Sequence, residues 1–415
     1  MTSVFIHNFG CRVNQAEAFD WSDQLEEVGL TVEKNWRRAE LVVVNSCALT
    51  TRAEADVRQF LRKVQRESPK AKIILTGCLT EKTEEELKKN ASLVRVIPNA
   101  LKDNLVTEVV NLSQKKTEKA EKKFYRSRAL IKVQDGCNAH CTFCIIPSLR
   151  GPSRSTPLEN IKEKVQRAVD RGYNEVVLAG IHLCAYGQDF SPKKTLLDLL
   201  QELVGISGLN FIRLSSLDPR LLPENLLDFL VSEDKICPHF HLSLQHASVK
   251  MLKKMGRKSS AEEYFQILSY LRKSRPEASL GADIIVGFPE ETEEDFIFLK
   301  DFLIRAPLTY FHVFSYSPRS GTPAANWTQV SQSVIKARSE ELRKISREKN
   351  LAFRKSFIGR SLPAVVIKKQ GAQVEALTAN YFKLLLENNN NLKPGQLIWA
   401  RIVEVQPSIT RGEAD

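Results

Sequence analysis

Short apolar runs alternate with amphipathic stretches through the first hundred residues. Val4-Phe5-Ile6-His7, Leu41-Val42-Val43-Val44 and Lys72-Ile73-Ile74-Leu75 read as strands. Between them a helix is expected from about Asn14, a good N-cap, to Gly29, a good C′ residue. Thr50 caps a second helix with Val57, Leu61 and Val64 on one face, and Ser68-Pro69 ends it. Strand alternating with helix predicts an α/β, doubly wound parallel sheet with helices on both faces. From residue 129 the alternation resumes, with strands at about 129–134, 175–180, 210–216, 239–244, 280–287 and 310–316. Thr156-Pro157 opens one intervening helix as N-cap and N1, Gly172 closes it, and Thr292 with Asp295 caps another. Six parallel strands predict an open six-unit β/α barrel with its chemistry at the strands' carboxyl ends. The open side suits a large substrate. Helix-like sequence over 331–355 gives way at Gly359 to short alternating segments at 362–367, 373–377, 381–386 and 397–403. Asn388-Asn389-Asn390-Asn391 and Pro394-Gly395 punctuate them, and the set predicts a small C-terminal antiparallel β-barrel. The expected organisation is 1–113, a linker at 114–128, 129–358 and 359–415.

Composition narrows the partners. The chain has 415 residues, 42% hydrophobic and 27% charged, enough for several cores. A net charge of +12 favours a polyanion such as RNA, with membrane headgroups the competing reading. No apolar run approaches a membrane span, and residues 1–15 lack a basic start, apolar stretch and cleavage site. The reading is therefore cytoplasmic, with no membrane. In that compartment eight cysteines argue for metal ligation or catalysis and against disulfides. The linker carries seven basic and two acidic residues. It reads as a solvated hinge, with Lys122, Lys123, Arg126 and Arg128 as phosphate-contact candidates.

Two cysteine sets carry the chemistry. Cys137, Cys141 and Cys144, spaced C-x3-C-x2-C, are one thiolate short of closing a zinc site or saturating a four-iron cluster. Such a loop holds a 4Fe–4S cluster by three irons and leaves the fourth open. Three buried structural cysteines are the bland alternative, and a Gly-, Asn- and His-containing loop makes a poor core. Cys11, Cys47 and Cys78 each follow a predicted strand's carboxyl end, where such sheets gather their ligands. The fold would unite them as a second three-thiolate site, for which a three-cysteine zinc site is a competitor with His7 or an acidic residue as its fourth partner.

The C-x3-C-x2-C loop, with Phe143 before its last cysteine, resembles that of the radical S-adenosylmethionine (SAM) enzymes. In them the open iron binds SAM, whose one-electron cleavage gives a 5′-deoxyadenosyl radical. Gly10-Cys11-Arg12-Val13-Asn14-Gln15, Asn45-Ser46-Cys47, Thr76-Gly77-Cys78, Gln134 through Cys144-Ile145-Ile146-Pro147, and Arg150-Gly151-Pro152 resemble the motifs of the methylthiotransferases. Ile181 through Gly187, with His182 and Tyr186, and His312 through Pro323, with Arg319, resemble the subgroup acting on tRNA that carries N6-threonylcarbamoyladenosine. The resemblance implies two 4Fe–4S clusters, with SAM as both methyl donor and radical source. It also implies the tRNA anticodon stem-loop as substrate, an electron donor such as flavodoxin or ferredoxin, and a sulfur source.

The barrel geometry then suggests SAM contacts. Ala179 and Gly180 would let backbone approach the methionyl amine, Gln245 would meet the ribose, and Ile285 and Gly287 would flank the adenine. The family usually has glycine where this chain has Glu290, followed by an acidic residue matching Glu291. Arg150 and Arg154 would pair with the SAM carboxylate or with phosphate. Cys184 and Cys237 are expected to be plain thiols. The last barrel resembles the RNA-binding TRAM domain, with Lys383, Arg401, Tyr381 and Phe382 as candidate contacts. Its own charge is only +2, so fold likeness carries that expectation. Rival readings are the same chemistry on isopentenyladenosine or on an aspartate of a ribosomal protein, or an iron–sulfur RNA-binding protein without turnover.

Overall fold

The computed structural model describes residues 3–80, 92–113, 126–371, 373–387 and 391–415. Strands β1 (Ser3–Asn8), β2 (Thr31–Val32), β3 (Leu41–Ser46), β4 (Lys72–Gly77) and β5 (Leu93–Ile97) form a parallel sheet in the order β2-β1-β3-β4-β5. The period of two along each strand serves both faces. Val43 and Ile74 pack with Ala18, Trp21 and Leu25 of helix α1 (Arg12–Glu27). Val42, Val44, Ile73 and Leu75 pack with Val57, Leu61 and Val64 of helix α2 (Thr51–Glu67). Each of those three α2 side chains contributes about 1.5–3 kcal/mol by leaving water. Thr50 caps α2 as expected, accepting from Ala53 N–H. Asn14 does not cap α1. Cys11 holds that position, and Asn14 is buried inside the helix, spending its amide on other loops.

The barrel strands are β6 (Ala129–Asp135), β7 (Arg154–Ser155), β8 (Glu175–Gly180), β9 (Phe211–Leu214), β10 (His239–Gln245), β11 (Ser279–Val286) and β12 (Tyr310–Ser315). They form two sheets, β7-β6-β8-β9 and β10-β11-β12, in which the six main strands run parallel and β7 is an antiparallel edge. Single bridges, Ile212 with Ile236 and Leu217 with Leu242, link the two. The helix after β7 begins at Leu158 with Pro157 at its N-cap, one residue later than the sequence suggests. Thr156 Oγ1 instead donates to Lys132 O at 3.3 Å. Thr292 and Asp295 form the expected capping box.

The long helix Gln332–Lys355 leads to a closed barrel of β13 (Ser361–Gln370), β14 (Gln373–Thr378), β15 (Lys383–Leu386), β16 (Leu397–Val405) and β17 (Thr410–Ala414). It is antiparallel except where β15 meets β17. The short strands β2, β5, β7 and β17 have no sequence expectation behind them; each is brief or carries Arg, Thr or Gly where apolar residues would signal a strand. Among the described residues no helix is long and apolar enough to cross a membrane.

The three parts pack closely. Val13, Ala16 and Phe19 of α1 share one core with the barrel strands, and Phe19 meets Tyr173 edge-on at 5.6 Å. The last barrel docks beneath β9 and β10. There Arg213, paired with Glu175 at 2.7 Å, donates to the carbonyls of Thr378 and Ala379.

Candidate active site

β1, β3 and β4 lie side by side, so their carboxyl ends are neighbours at about one strand spacing, ~4.8 Å. Cys11, Cys47 and Cys78 follow those ends directly. Ser46 ties two of the loops: its Oγ donates to Thr76 O at 2.6 Å and accepts from Leu79 N–H at 3.0 Å. Asn14 ties the third, donating to Phe9 O at 2.8 Å and Ser46 O at 2.9 Å. Gly10 has φ +91°, and a Cβ there would lie 2.6 Å from Cys47 Sγ, so glycine alone permits the approach. Burial pushes the Cys11 thiol up and that of Cys47 up to about 11, and the neighbouring thiols add to both rises. Arg150 opposes both. His7 stands apart from this site, stacked on Phe60 at 4.0 Å, where burial lowers it to about 4.

The second set hangs from β6. Gly136, at φ +68°, turns the chain so that Cys137 N–H reaches Gly151 O at 3.2 Å. Thr142 pins the loop to Lys254 O at 2.8 Å and Met255 O at 3.1 Å. Three donors face the thiols. Ala139 N–H lies 3.3 Å from Cys137 Sγ, His182 Nδ1 lies 3.8 Å from it, and the Arg257 guanidinium acts to lower the Cys141 thiol. His182 Nε2 and Arg257 Nη2 both rest on Asp218, at 3.1 and 3.3 Å. Burial would raise the Cys137 thiol, but the bonds from His182 and Ala139 outweigh it and leave the thiol lowered. Burial raises Cys141 and takes Cys144 to about 11. His182 is itself raised to about 9, since the bonds to Asp218 and Cys137 overcome its burial.

The two sets meet across the short helix Ile146–Arg150, which begins two residues after Cys144. Ile145 and Leu149 pack in the same core as Cys78, and Asn99 Nδ2 reaches both Leu149 O at 2.9 Å and Cys78 Sγ at 4.0 Å. Arg150 is buried and bonds Asp135 at 2.7 Å, Glu17 at 3.3 Å and Asn14, the residue that accepts from the Cys11 thiol. Arg150 is thus a bridge between the sets and is not open to phosphate. Among the described residues no three His, Cys, Asp or Glu side chains stand close enough to hold one metal ion. Soft thiols flanked by Arg150, Arg257 and His182 have the donor chemistry that an anionic iron–sulfur cluster needs.

Other expected contacts divide. Phe143 packs with Ile285, Phe288, Met251 and Met255 behind the loop. Ala179 and Gly180 end β8, with Gly180 N–H donating to Ser215 Oγ at 3.3 Å. Gln245 has φ +74°, an uncommon backbone for its type, which closes β10. Gly287 is required, because a Cβ there would lie 2.3 Å from Ile335 Cγ1. Glu290 keeps a glycine-like φ of +62°, and Glu291 staples the loop by accepting from Gly287 N–H at 2.9 Å and Arg338 at 2.6 Å. His182 lines a cavity of about 410 Å³ with Asn138, Arg220 and Lys258.

Several expectations fail. Tyr186 is core, its hydroxyl bonded to Thr156 O at 3.1 Å. Arg319 is buried on Glu54 and Ala48 O, so it joins the barrel to α2 and does not face substrate. Phe382 is core, whereas Tyr381 stacks on His239 at 4.1 Å and accepts from Arg12 at 2.6 Å. Lys383 and Arg401 are exposed, each paired at 2.8 Å with Glu375 and Glu413. Arg154 is exposed on the edge strand. Arg128 holds Glu175 at 3.1 Å and Arg126 reaches Gln15 at 3.4 Å, so neither is a free phosphate contact. Lys122 and Lys123 lie outside the described residues. Cys184 and Cys237 are buried thiols, both pushed up to about 12 by burial. Asp218, Arg257 and Glu17 escape sequence reasoning; only the Asp218-Pro219 pair gives a signal, and that signal is of a turn.

Comparison with known proteins places this geometry. Residues 131–303 match the Radical SAM superfamily and residues 3–98 the Uncharacterized protein family UPF0004. The chain is 35% identical over 405 residues to threonylcarbamoyladenosine tRNA methylthiotransferase MtaB of Aquifex aeolicus (strain VF5), covering 92% of this chain and 96% of that one. It is 31% identical over 437 residues to ribosomal protein uS12 methylthiotransferase RimO of Carboxydothermus hydrogenoformans, covering 99% and 98%. The fold is shared with the radical SAM methyltransferase TsrM of Kitasatospora setae at a TM-score of 0.58 and 14% identity, over 78% and 77% of the two chains. With that identity spanning nearly its whole length, the chain belongs to the radical SAM methylthiotransferases, enzymes of 4Fe–4S clusters and S-adenosylmethionine.

Proposed function

We propose that this enzyme adds a methylthio group to C2 of N6-threonylcarbamoyladenosine at position 37 of tRNA, in the cytoplasm. An adenine C2–H is strong and not acidic, so no positioned base removes it at neutral pH. Cys137, Cys141 and Cys144 would hold one 4Fe–4S cluster with SAM at its open iron, and Cys11, Cys47 and Cys78 the other. Bound there, these groups supply a hydrogen-abstracting radical and a methylated sulfur. The chain's own part is placement and exclusion of water. Asp218 orients His182 and Arg257 toward the first trio, Arg150 joins that loop to the second, and Gly10 lets Cys47 close in.

The observation that supports the reading is the short helix Ile146–Arg150, which joins the loop of Cys137, Cys141 and Cys144 to the core that holds Cys78. The substrate is supported by the greater identity to the Aquifex protein than to the uS12 enzyme. A flavodoxin- or ferredoxin-like donor would bring the electron, and a separate source would renew the sulfur.

Mass spectrometry of tRNA nucleosides from a deletion strain tests the substrate. Threonylcarbamoyladenosine should persist there without its methylthio group; a methylthio group still present would reject the assignment. Methylthio loss from isopentenyladenosine, or from a ribosomal aspartate, would transfer the reading to that substrate. Anaerobically reconstituted Cys137→Ala should form no 5′-deoxyadenosine. Cys47→Ala should retain part of that cleavage and form no methylthiolated product, and full-rate cleavage without Cys137 would contradict the assignment.

A further inference from the structure

Strand β12 turns Tyr310, His312 and Phe314 to the barrel's inner face, since Phe311 and Val313 between them are buried in the main core. The lower end of that inner row is filled. Tyr310 Oη lies 2.7 Å from His239 Nε2 and 3.2 Å from His241 Nδ1, and His241 Nε2 lies 3.0 Å from Asp283 Oδ1. The upper end is not filled. His312 is exposed, and Phe314 keeps 49% of its surface. In an open β/α barrel the inner face at the strands' carboxyl ends is where a substrate is received, and Phe314 stands there half exposed.

Its location suggests a use. Phe314 is the register partner of Ile285, which packs with Phe143, the residue before Cys144. Just beyond β12, Ser317 Oγ lies 3.5 Å from Thr51 Oγ1, and Arg319 donates at 2.8 Å to the carbonyl of Ala48, the residue after Cys47. The half-exposed ring therefore lies on the strand whose neighbours reach both trios: Ile285 packs with Phe143 on one side, and Arg319 holds the loop after Cys47 on the other. A flat heteroaromatic base gains from an exposed ring face, whereas an aspartate side chain has no face to stack.

We propose that Phe314, with His312 beside it, is the platform on which a purine extruded from RNA stacks between the two cysteine trios. This rests on the proposed tRNA reaction and specifies how its base is received. A base must leave its own stack before its ring atoms can react, and an aromatic surface offsets part of that cost.

The test measures affinity of the reconstituted holoenzyme for two anticodon stem-loop RNAs, one with threonylcarbamoyladenine at position 37 and one abasic there. Phe314→Ala should weaken binding of the first about ten-fold, a stacking-sized loss, and change the second less than about two-fold. Phe314→Tyr should bind both as the parent does. Phe314→Leu, which keeps apolar bulk without a ring, should behave as the alanine variant. Equal loss on both RNAs, no loss on either, or full recovery by leucine would each overturn the platform. If the deletion strain loses the methylthio group of another nucleoside while the base-dependent loss persists with that nucleoside's precursor, the substrate reading falls and the platform stands. If methylthiolated threonylcarbamoyladenosine is the product and no base-dependent loss is found, the reverse holds.

Discussion

Asp218 accepts from His182 at 3.1 Å, from Arg257 at 3.3 Å and from Arg220 at 2.9 Å. Burial would favour its neutral form, but the bonds from Arg220 and His182 hold its carboxyl well below the usual range. His182 continues to Cys137 Sγ at 3.8 Å and the Arg257 charge acts on Cys141, so one carboxylate orients the groups that face two thiols. Hydrogen bonds to cluster sulfurs make reduction easier. Asp218→Asn, which replaces an acceptor with a donor, should move the radical cluster's reduction potential to more negative values and cut SAM cleavage about 10- to 100-fold. A redox titration followed by electron paramagnetic resonance checks this. An unchanged potential at full iron content would remove the positioning role.

At the scale of elements, the three-strand edge that presents Cys11, Cys47 and Cys78 depends on turns without side chains. Gly10 faces Cys47, and a Cβ on Gly77 would lie 2.4 Å from Ser46 O. Gly10→Ala must either displace Cys47 or open the β1–α1 turn. The variant should purify with about half the parent's iron while keeping the cluster of Cys137, Cys141 and Cys144. Iron analysis beside SAM-cleavage assays decides it, and a full iron complement would show that the loop can yield. A charged motif in sequence and a bound phosphate are different things at this scale as well. Arg150 and Arg319 lie in motifs that resemble substrate-facing ones, yet both are consumed in joining the barrel to the first sheet, one on Glu17 and Asp135, the other on Glu54.

Across the whole molecule, Glu17 of α1 is the buried hub of that join. It meets Lys102 at 2.7 Å, Arg150 at 3.3 Å and Lys132 at 3.4 Å. Burial alone would raise its carboxyl, but the three cations outweigh it and hold it well below the usual range. A depressed carboxyl stabilises the fold fully above its unfolded pKa, near ~4.3, and that contribution is lost as pH falls through the folded value. Glu17→Gln leaves two buried cations, Lys102 and Arg150, and the partly buried Lys132 under-compensated and should cost about 3–5 kcal/mol at neutral pH. The variant should also lose stability less steeply on acidification than the parent. Thermal denaturation of both proteins across pH tests the two statements together, and parallel curves would refute the hub.

The pattern of apolar positions alone determined the three central strands of the sheet, the six main barrel strands and four strands of the last barrel, because burying a face of a strand or helix demands a repeat that survives in any single chain. The cysteines were equally legible: C-x3-C-x2-C lies in one loop, and Cys11, Cys47 and Cys78 share a position after each strand. Only tertiary structure decided which charged and aromatic side chains were spent on joining the parts. Tyr381, Arg150 and Arg319 look the same in sequence whether they face a ligand or a neighbouring domain, as does Tyr186 whether it faces a ligand or the core of its own barrel. Their partners lie far off along the chain, Tyr381 and Arg12 being 369 positions apart. Phe314 is the converse: its strand alternation marks it as an inner residue, and only the assembled barrel shows that about half of its surface stays exposed.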